Sequence, residues 1–275
     1  MSARPLVFKF GGELLEDRAH LATVVAGVAA IAAAGAPLVI VHGGGKEIDA
    51  ALKVAGIEKR QIEGLRITDE ATLEVVVAVL AGAVNTRLVA ALNTAGVAAV
   101  GLTGADGTCG LSAVAPPHRT VDGRLVDLGR VGVPDVQADL RLVQTLVRDG
   151  FVPVIACIGL DRDGRLLNVN ADTFAGHLAA RLGARRLVIA GTTPGVLGPD
   201  GATLPFVGAD AVTALVNDGT ATAGMIAKLR ACGHALAGGV DMVVIVDGRD
   251  RAALTAAAES AAPVSATRLV RMVPA

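Results

Sequence analysis

The 275-residue sequence contains no tryptophan and no tyrosine, and its aromatic content is 2%. Proteins that grip single-stranded nucleic acids stack bases on aromatic rings, and almost no material for that exists here. A surplus of charge is missing too: 25 basic residues face 26 acidic ones, a net charge of −1. No strong field is expected to draw polyanions or an anionic membrane, so nucleic acid is excluded as a partner. The three cysteines, Cys109, Cys157 and Cys232, are odd in number, far apart and without a Cys-x-x-Cys pair. That argues against a disulfide framework and for a reducing compartment. Cys157 lies inside the apolar run PVIACIG and reads as a small core side chain. The five histidines form no His-Glu-x-x-His motif and no Cys/His cluster, so no protein-held metal is expected.

Uncharged runs long enough for a bilayer are scarce as well. The exception is residues 21–41, LATVVAGVAAIAAAGAPLVIV. Its length would suffice, but its first part is mostly alanine, and Gly35-Ala36-Pro37 divides it into a helix and a strand. The chain opens with no basic stretch leading into a short apolar core, so no signal peptide is read. The expectation is a soluble, cytoplasmic protein with no membrane contact.

What is present is alternation. Short apolar runs at 6–10, 37–42, 98–103, 151–158, 186–191 and 240–246 read as buried strands. Helix-like spacing fills 18–34, 46–55, 69–95, 135–149, 171–183 and 222–237. Such alternation predicts an α/β sandwich around a mainly parallel sheet. Residues 111–131 differ, because two short runs flank Asp122-Gly123, a hairpin signal. A lobe boundary is placed after the helix that ends in RLG, which divides the chain into residues 1–184 and 185–275.

Strand ends in such a sheet are where ligands collect, and glycine turns lie at two of them. KFGG sets Gly11 and Gly12 after the first strand, with Lys9 inside it; VHGGGK sets Gly43, Gly44 and Gly45 after the second. VHGGGK is not a Walker A loop, which would need glycine at Ile40 and Ser or Thr at Glu47. Nor is it a dinucleotide fingerprint, which would need glycine at Ile48. Glycine lets backbone N–H groups approach an anion, and a helix N-terminus adds a favourable dipole. One such turn is readily a bare tight turn; two on successive strands favour an anion site. Further candidates are LNVNAD, with Asn168, Asn170 and Asp172 at a helix start, where simple capping is the alternative. Arg66 lies in EGLRITD, and Lys228 in AGMIAKL.

In this order and at these separations, KFGG, VHGGG, EGLRITD, LNVNAD, PGVL and AGMIAKL resemble the amino acid kinase family, from about residue 5 to residue 272. EGLRITD together with LNVNAD resembles the members that phosphorylate N-acetyl-L-glutamate in arginine biosynthesis. The resemblance implies a three-layer αβα sandwich in two lobes, the first for the acceptor and dimerisation, the second for the nucleotide. It implies ATP as phosphoryl donor, with Mg2+ held mainly by the nucleotide phosphates. Lys9 and Lys228 would stabilise the transferring phosphoryl group from opposite sides, with Asp172 holding them. Gly44, Gly45, Arg66, Asn168 and Asn170 would bind the acceptor. Gly11, Gly12, Thr192, Thr193, Gly195, Thr222, Gly224 and Met225 would surround the nucleotide. The chemistry agrees with the residue types: a carboxylate acceptor is already ionised at neutral pH, so no general base is needed. Positioning and positive charge carry such a transfer.

Two departures stand out. Thr192 occupies a place where the family usually has an acidic residue, on the nucleotide side, and Ala223 stands where Gly or Asp is usual. Two alternatives stay open at this point: a relative acting on carrier-protein-linked aminoadipate or glutamate in lysine synthesis, and a non-catalytic regulator that binds nucleotide or amino acid. Arginine-inhibited members of the family carry an extra N-terminal helix that links dimers into rings. Here only MSAR precedes the first strand, which leads to the expectation of a homodimer indifferent to arginine.

Overall fold

Both LVFKF and LVIVH are buried at every position, the pattern of strands covered on two faces. In the computed structural model, which describes residues 4–120, 122–198, 200–208, 211–212, 223–259 and 265–271, they lie at the middle of an eight-stranded sheet. In chain order its strands are β1 Leu6–Phe10, β2 Leu38–His42, β3 Ala99–Thr103, β4 Val152–Ala156, β5 Arg186–Gly191, β6 Phe206–Gly208, β7 Met242–Asp247 and β8 Ala266–Val270. Their spatial order is β6-β8-β7-β5-β1-β2-β4-β3. All neighbours run parallel except β7 and β8.

Alternation along each strand feeds two separate cores. Leu6, Phe8, Phe10, Leu38 and Ile40 meet α1 (Arg18–Ala33), α4 (Asn85–Thr94) and α8 (Arg251–Ala258) on one side. Val7, Val39, Val41, Leu187 and Ile189 meet α2 (Gly45–Val54), α5 (Arg141–Arg148), α6 (Ala171–Arg181) and α7 (Ala223–Ala237) on the other. The result is a three-layer αβα sandwich with a mostly parallel centre, as expected. Lys9 follows Val7 at a spacing of two, so its side chain shares the face covered by α6 and α7.

Beyond the central sheet, a four-stranded sheet orders Ile158–Leu160, Leu166–Val169, Val131–Pro134 and Ser112–Val114 side by side. The hairpin expected around Asp122-Gly123 is present, pairing His118–Arg119 with Leu125–Val126; Gly123 has φ 87°, a turn conformation that suits glycine.

Several expectations need correction. Residues 151–158 do not form one strand: β4 ends at Ala156, and Ile158–Leu160 belongs to the smaller sheet. The chain turns at Cys157, whose carbonyl accepts from the Val169 N–H at 3.1 Å. The helix expected over 135–149 shrinks to α5. Asp135 accepts from the Gln137 N–H at 2.8 Å and Asp139 from the Arg141 N–H at 3.0 Å, and such local bonds compete with helix. The 69–95 helix is continuous but changes pitch, α3 (Glu70–Val77) passing through a π segment, Ala78–Val84, into α4. The outer strands β6 and β8 and helix α8 carried no separate sequence expectation. Residues 21–41 divide as expected into α1 and β2, with Gly35 at φ 76° between them. Among the described residues, the helix long and apolar enough to cross a membrane is Glu70–Thr94, with 33% of its most apolar window buried. It packs through Val76, Leu80, Val84, Leu88 and Leu92.

Candidate active site

β1 ends in Lys9-Phe10 and then the glycine turn, so the lysine sits at the carboxyl edge of the sheet. Asn170 caps α6, its Oδ1 accepting from the Thr173 N–H at 3.0 Å, so the capping reading of Asn170 holds. The cap places Asp172 in the first turn of α6, against β1. Lys9 Nζ lies 2.9 Å from Asp172 Oδ1, and Lys228 Nζ, reaching over from the second turn of α7, lies 3.4 Å from both carboxylate oxygens. Lys9 and Asp172 are each 8% exposed.

Two ammonium groups around one carboxylate leave an excess positive charge in a place that water scarcely reaches. Burial pushes the Asp172 pKa up, but Lys9 and Lys228 outweigh it and hold the carboxyl below its ordinary value. Burial pulls Lys9 down, and the adjacent Asp172 more than restores it, so its ammonium is favoured. Lys228 goes the other way: burial and then repulsion from Lys9 lower its pKa, with the longer contact to Asp172 compensating incompletely. Cys157 and Cys232 flank the cluster, and burial pushes both thiols up to about 12. They are inert at neutral pH, in line with the sequence reading of Cys157.

Beside this cluster lies a cavity of about 210 Å³. Gly44, Gly45, Arg66, Asn168 and Asn170 all line it, so the five residues named as acceptor-binding come from three separated segments to one place. Arg66 is held by Nη2, which donates to Asp49 Oδ1 at 2.5 Å and to the Gly45 carbonyl at 3.3 Å. Its Nη1 is buried with no partner among the described residues. An unpaired buried guanidinium nitrogen is costly unless an acceptor arrives. Asn168 Nδ2 donates to Thr68 Oγ1 at 3.1 Å, which ties the LNVNAD strand to EGLRITD.

The residues assigned to the nucleotide gather less tightly. Gly12 and Gly44 bring the two glycine turns together: a Cβ on Gly12 would stand 2.6 Å from the Gly44 Cα. Glycine is therefore required there by packing as well as by any ligand. The Gly11 N–H is taken by the Ala190 carbonyl at 3.0 Å. Thr192 and Thr193 follow β5, and the Thr192 carbonyl accepts from Arg249 Nη2 at 3.0 Å. A Cβ on Gly195 would stand 2.7 Å from Thr203 Cγ2 and 2.9 Å from the Thr267 N, so that glycine serves a close approach to the start of β8. Gly224 and Met225 open α7; Thr222 lies outside the described residues.

Three contributors escaped the sequence reading. Asp49 orients Arg66 across 17 positions of chain, and spacing offers no sign of that. Glu13 lays its carboxylate across Gly11 and Gly191, towards Lys9; the one available signal was an acidic residue directly after a double glycine. Asn85 pairs with His42 beneath the second glycine turn.

Residues 4–247 match the amino acid kinase family. An acetylglutamate kinase of Parvibaculum lavamentivorans is 41% identical over 256 residues, covering 91% of this chain and 84% of that one. Among solved structures, smu.665 from Streptococcus mutans superimposes with a TM-score of 0.81 at 25% identity, over 97% of this chain and 98% of its own. The N-acetylglutamate synthase of Neisseria gonorrhoeae, solved with coenzyme A and N-acetyl-glutamate, shares the fold at a TM-score of 0.83 and 24% identity, over 98% of this chain and 60% of its own. A buried two-lysine, one-carboxylate cluster at the carboxyl edge of a parallel sheet, next to an arginine-lined cavity, is the equipment of a phosphotransferase with an anionic acceptor. The chain belongs to the amino acid kinase family.

Proposed function

We propose that this chain transfers the γ-phosphoryl group of ATP to the side-chain carboxylate of N-acetyl-L-glutamate, giving N-acetyl-L-glutamyl 5-phosphate, the second step of arginine biosynthesis. The observation that carries the reading is the Lys9–Asp172–Lys228 cluster beside a cavity whose buried Arg66 Nη1 has no partner among the described residues. Similarity to an acetylglutamate kinase over most of the chain supports the choice of acceptor.

In this reading Arg66, Asn168 and Asn170 receive the α-carboxylate and neighbouring polar atoms of the acceptor, the guanidinium fork being suited to a carboxylate. The side-chain carboxylate then points at the lysines. One of its oxygens attacks the γ-phosphorus, the bond to the bridging oxygen of ADP breaks, and ADP leaves with that electron pair. No proton moves, so no base is needed. Lys9 and Lys228 offset the charge carried by the transferring group, while N–H groups of Gly44 and Gly45 orient its oxygens. Both Asp172 oxygens contact the two lysines, and in this reading Asp172 serves the lysines and is not assigned to the metal. That fits Mg2+ held mainly by the nucleotide phosphates. In this reading Gly12, Thr192, Thr193, Gly224 and Met225 serve the nucleotide, a role assigned also to Thr222, and residues 185–275 act as the nucleotide lobe. Gly11 and Gly195 belong to the same side as framework.

The test is direct. Incubation with ATP, Mg2+ and N-acetyl-L-glutamate, followed by hydroxylamine, is expected to yield the acyl hydroxamate. A folded protein that gives no hydroxamate with this acceptor would remove the assignment.

Replacing Arg66 with lysine, which keeps the charge but loses the fork, is expected to raise KM for the acceptor by about tenfold or more, since a charge-assisted bond contributes roughly 1.5–3 kcal/mol. KM for ATP should change little. An equal rise for both substrates would show that Arg66 does not belong to the acceptor pocket.

Thr192→Asp, which restores the family's usual residue, is expected to change KM for ATP more than KM for the acceptor. Arg249 lies against the Thr192 carbonyl and offers the new carboxylate a partner. An effect confined to the acceptor would mean that this turn has been placed on the wrong substrate.

We further propose a homodimer in the cytoplasm. The three cysteines are free and buried, which suits a reducing compartment. Ala71, Ala78, Gly82, Ala83 and Ala90 are exposed along Glu70–Thr94, alongside the charged Glu74 and Arg87, and we place the second copy against this surface of small side chains. Sizing at micromolar concentration should give the mass of two chains, and a monomer would remove the proposal.

A further inference from the structure

His42 ends β2 immediately before the second glycine turn and is fully buried. Its ring makes two contacts. Nδ1 lies 3.3 Å from the Gly43 carbonyl oxygen, and Nε2 lies 3.0 Å from Asn85 Nδ2. The same Asn85 nitrogen donates to the Val154 carbonyl of β4 at 2.9 Å.

These partners decide where the ring proton is. A carbonyl oxygen only accepts, so the Asn85 atom facing Val154 is the NH2 group, and its second hydrogen points at His42 Nε2. Nε2 is therefore the accepting nitrogen. The Gly43 carbonyl also only accepts, so Nδ1 carries the proton. Two independent neighbours select one tautomer. Burial pushes the His42 pKa down to about 4, so the ring stays neutral through the physiological range. Asn85 is itself held tightly: a Cβ on Gly101 of β3 would collide with its Oδ1. It follows directly on the π segment Ala78–Val84, on the helix face that meets the sheet.

The consequence falls on the next peptide. His42 shares the sheet face of Leu38 and Ile40, opposite to Lys9, whose register partner is Val41. Holding the Gly43 C=O towards His42 turns it to that far side. In a trans peptide the C=O and the following N–H point in opposite directions, and no cis peptide occurs among the described residues. The Gly44 N–H is thereby aimed at the face of Lys9 and the acceptor cavity.

We propose that His42 and Asn85 are positioning residues for the phosphoryl-transfer site: Asn85 selects the Nδ1–H tautomer of His42, and that proton holds the Gly43 carbonyl so that the Gly44 N–H faces the reacting groups. The inference rests on the functional reading of Gly44 given above.

Two substitutions separate this role from simple packing. The amide nitrogen of asparagine overlays histidine Nδ1 and can still donate to the Gly43 carbonyl. The end of glutamine overlays Nε2, meets Asn85 and leaves that carbonyl unheld. Glutamine is closer to histidine in volume, so a packing role ranks His42→Gln as the better enzyme. The positioning role ranks them in reverse: His42→Asn within about tenfold of the unmodified kcat, His42→Gln down by roughly 10²-fold, the loss expected when one oriented donor is misplaced. Equal rates, or glutamine above asparagine, overturn the proposal. A measurement on the unmodified protein guards against variants that fail to fold: its 15N spectrum should show His42 protonated on Nδ1, and protonation on Nε2 overturns the proposal by itself. If the unmodified protein makes no acyl phosphate, the functional reading falls instead, while the tautomer still decides whether Asn85 sets the ring.

Discussion

Lys228→Ala and Lys9→Ala are each expected to leave a folded protein whose kcat is lower by on the order of 10²–10³-fold, the scale for removing one preorganised charge donor. The reasoning begins with burial. Asp172 has two cationic partners, at 2.9 and 3.4 Å, so removing either one leaves the carboxylate with the other. A buried carboxylate stripped of its sole partner would destabilise by roughly 3–5 kcal/mol; here the second lysine limits that loss. Lys9 has the shorter contact and lies within the sheet, so its removal should lower the melting temperature more than that of Lys228. In catalysis the ranking need not follow stability, because the transferring group meets both ammoniums. Single-turnover rates with saturating ATP and acceptor, read beside thermal melts, check this. Rates within a few-fold of the unmodified protein for both variants would sink the assignment of the lysines.

Asp172→Asn is expected to be as damaging and to change the pH profile as well. In the intact cluster the Lys228 pKa already lies below the ordinary lysine value of 10.5, through burial and repulsion from Lys9, with Asp172 opposing the fall. Removing the carboxylate removes the opposing influence, and the pKa falls further. A lysine is charged below its pKa, so the alkaline limb of kcat/KM moves towards lower pH. At neutral pH the variant should lose on the order of 10²-fold or more, and part of that loss should return as the pH is lowered and Lys228 regains its proton. The unmodified enzyme should itself show an alkaline limb below the range of an ordinary lysine. A variant with reduced rate but an unmoved limb would mean that Asp172 holds geometry without setting the lysine charge.

Much of this was legible in the chain, for reasons that differ by residue. Strands at 6–10, 37–42 and 186–191 were readable because a strand covered on both faces must be apolar throughout, with few other residues tolerated. Lys9 stood out because it lies inside the first strand next to the Gly11-Gly12 turn, at the strand end where ligands collect. Asn170 was recognisable as a cap because capping is local, contained within three residues. The limits of α5 were misjudged where Asp135 and Asp139 bond to nearby N–H groups, since helical spacing does not register that competition. The break at Cys157 was invisible for a related reason: an apolar run reads alike whether it stays in one sheet or passes into another.

What the sequence determined by itself was the layer architecture, the glycine turns at the strand ends and the inventory of charged groups that make the chemistry, since each depends on residue type and short-range periodicity. The tertiary structure alone decided which of those groups meet. Lys9, Asp172 and Lys228 are brought together across 163 and 56 positions of chain, Arg66 meets Asp49 across 17, and His42 meets Asn85 across 43. The physical reason is that a buried charge or tautomer is set by whatever stands within a few ångströms of it, and separation along the chain carries no record of that distance.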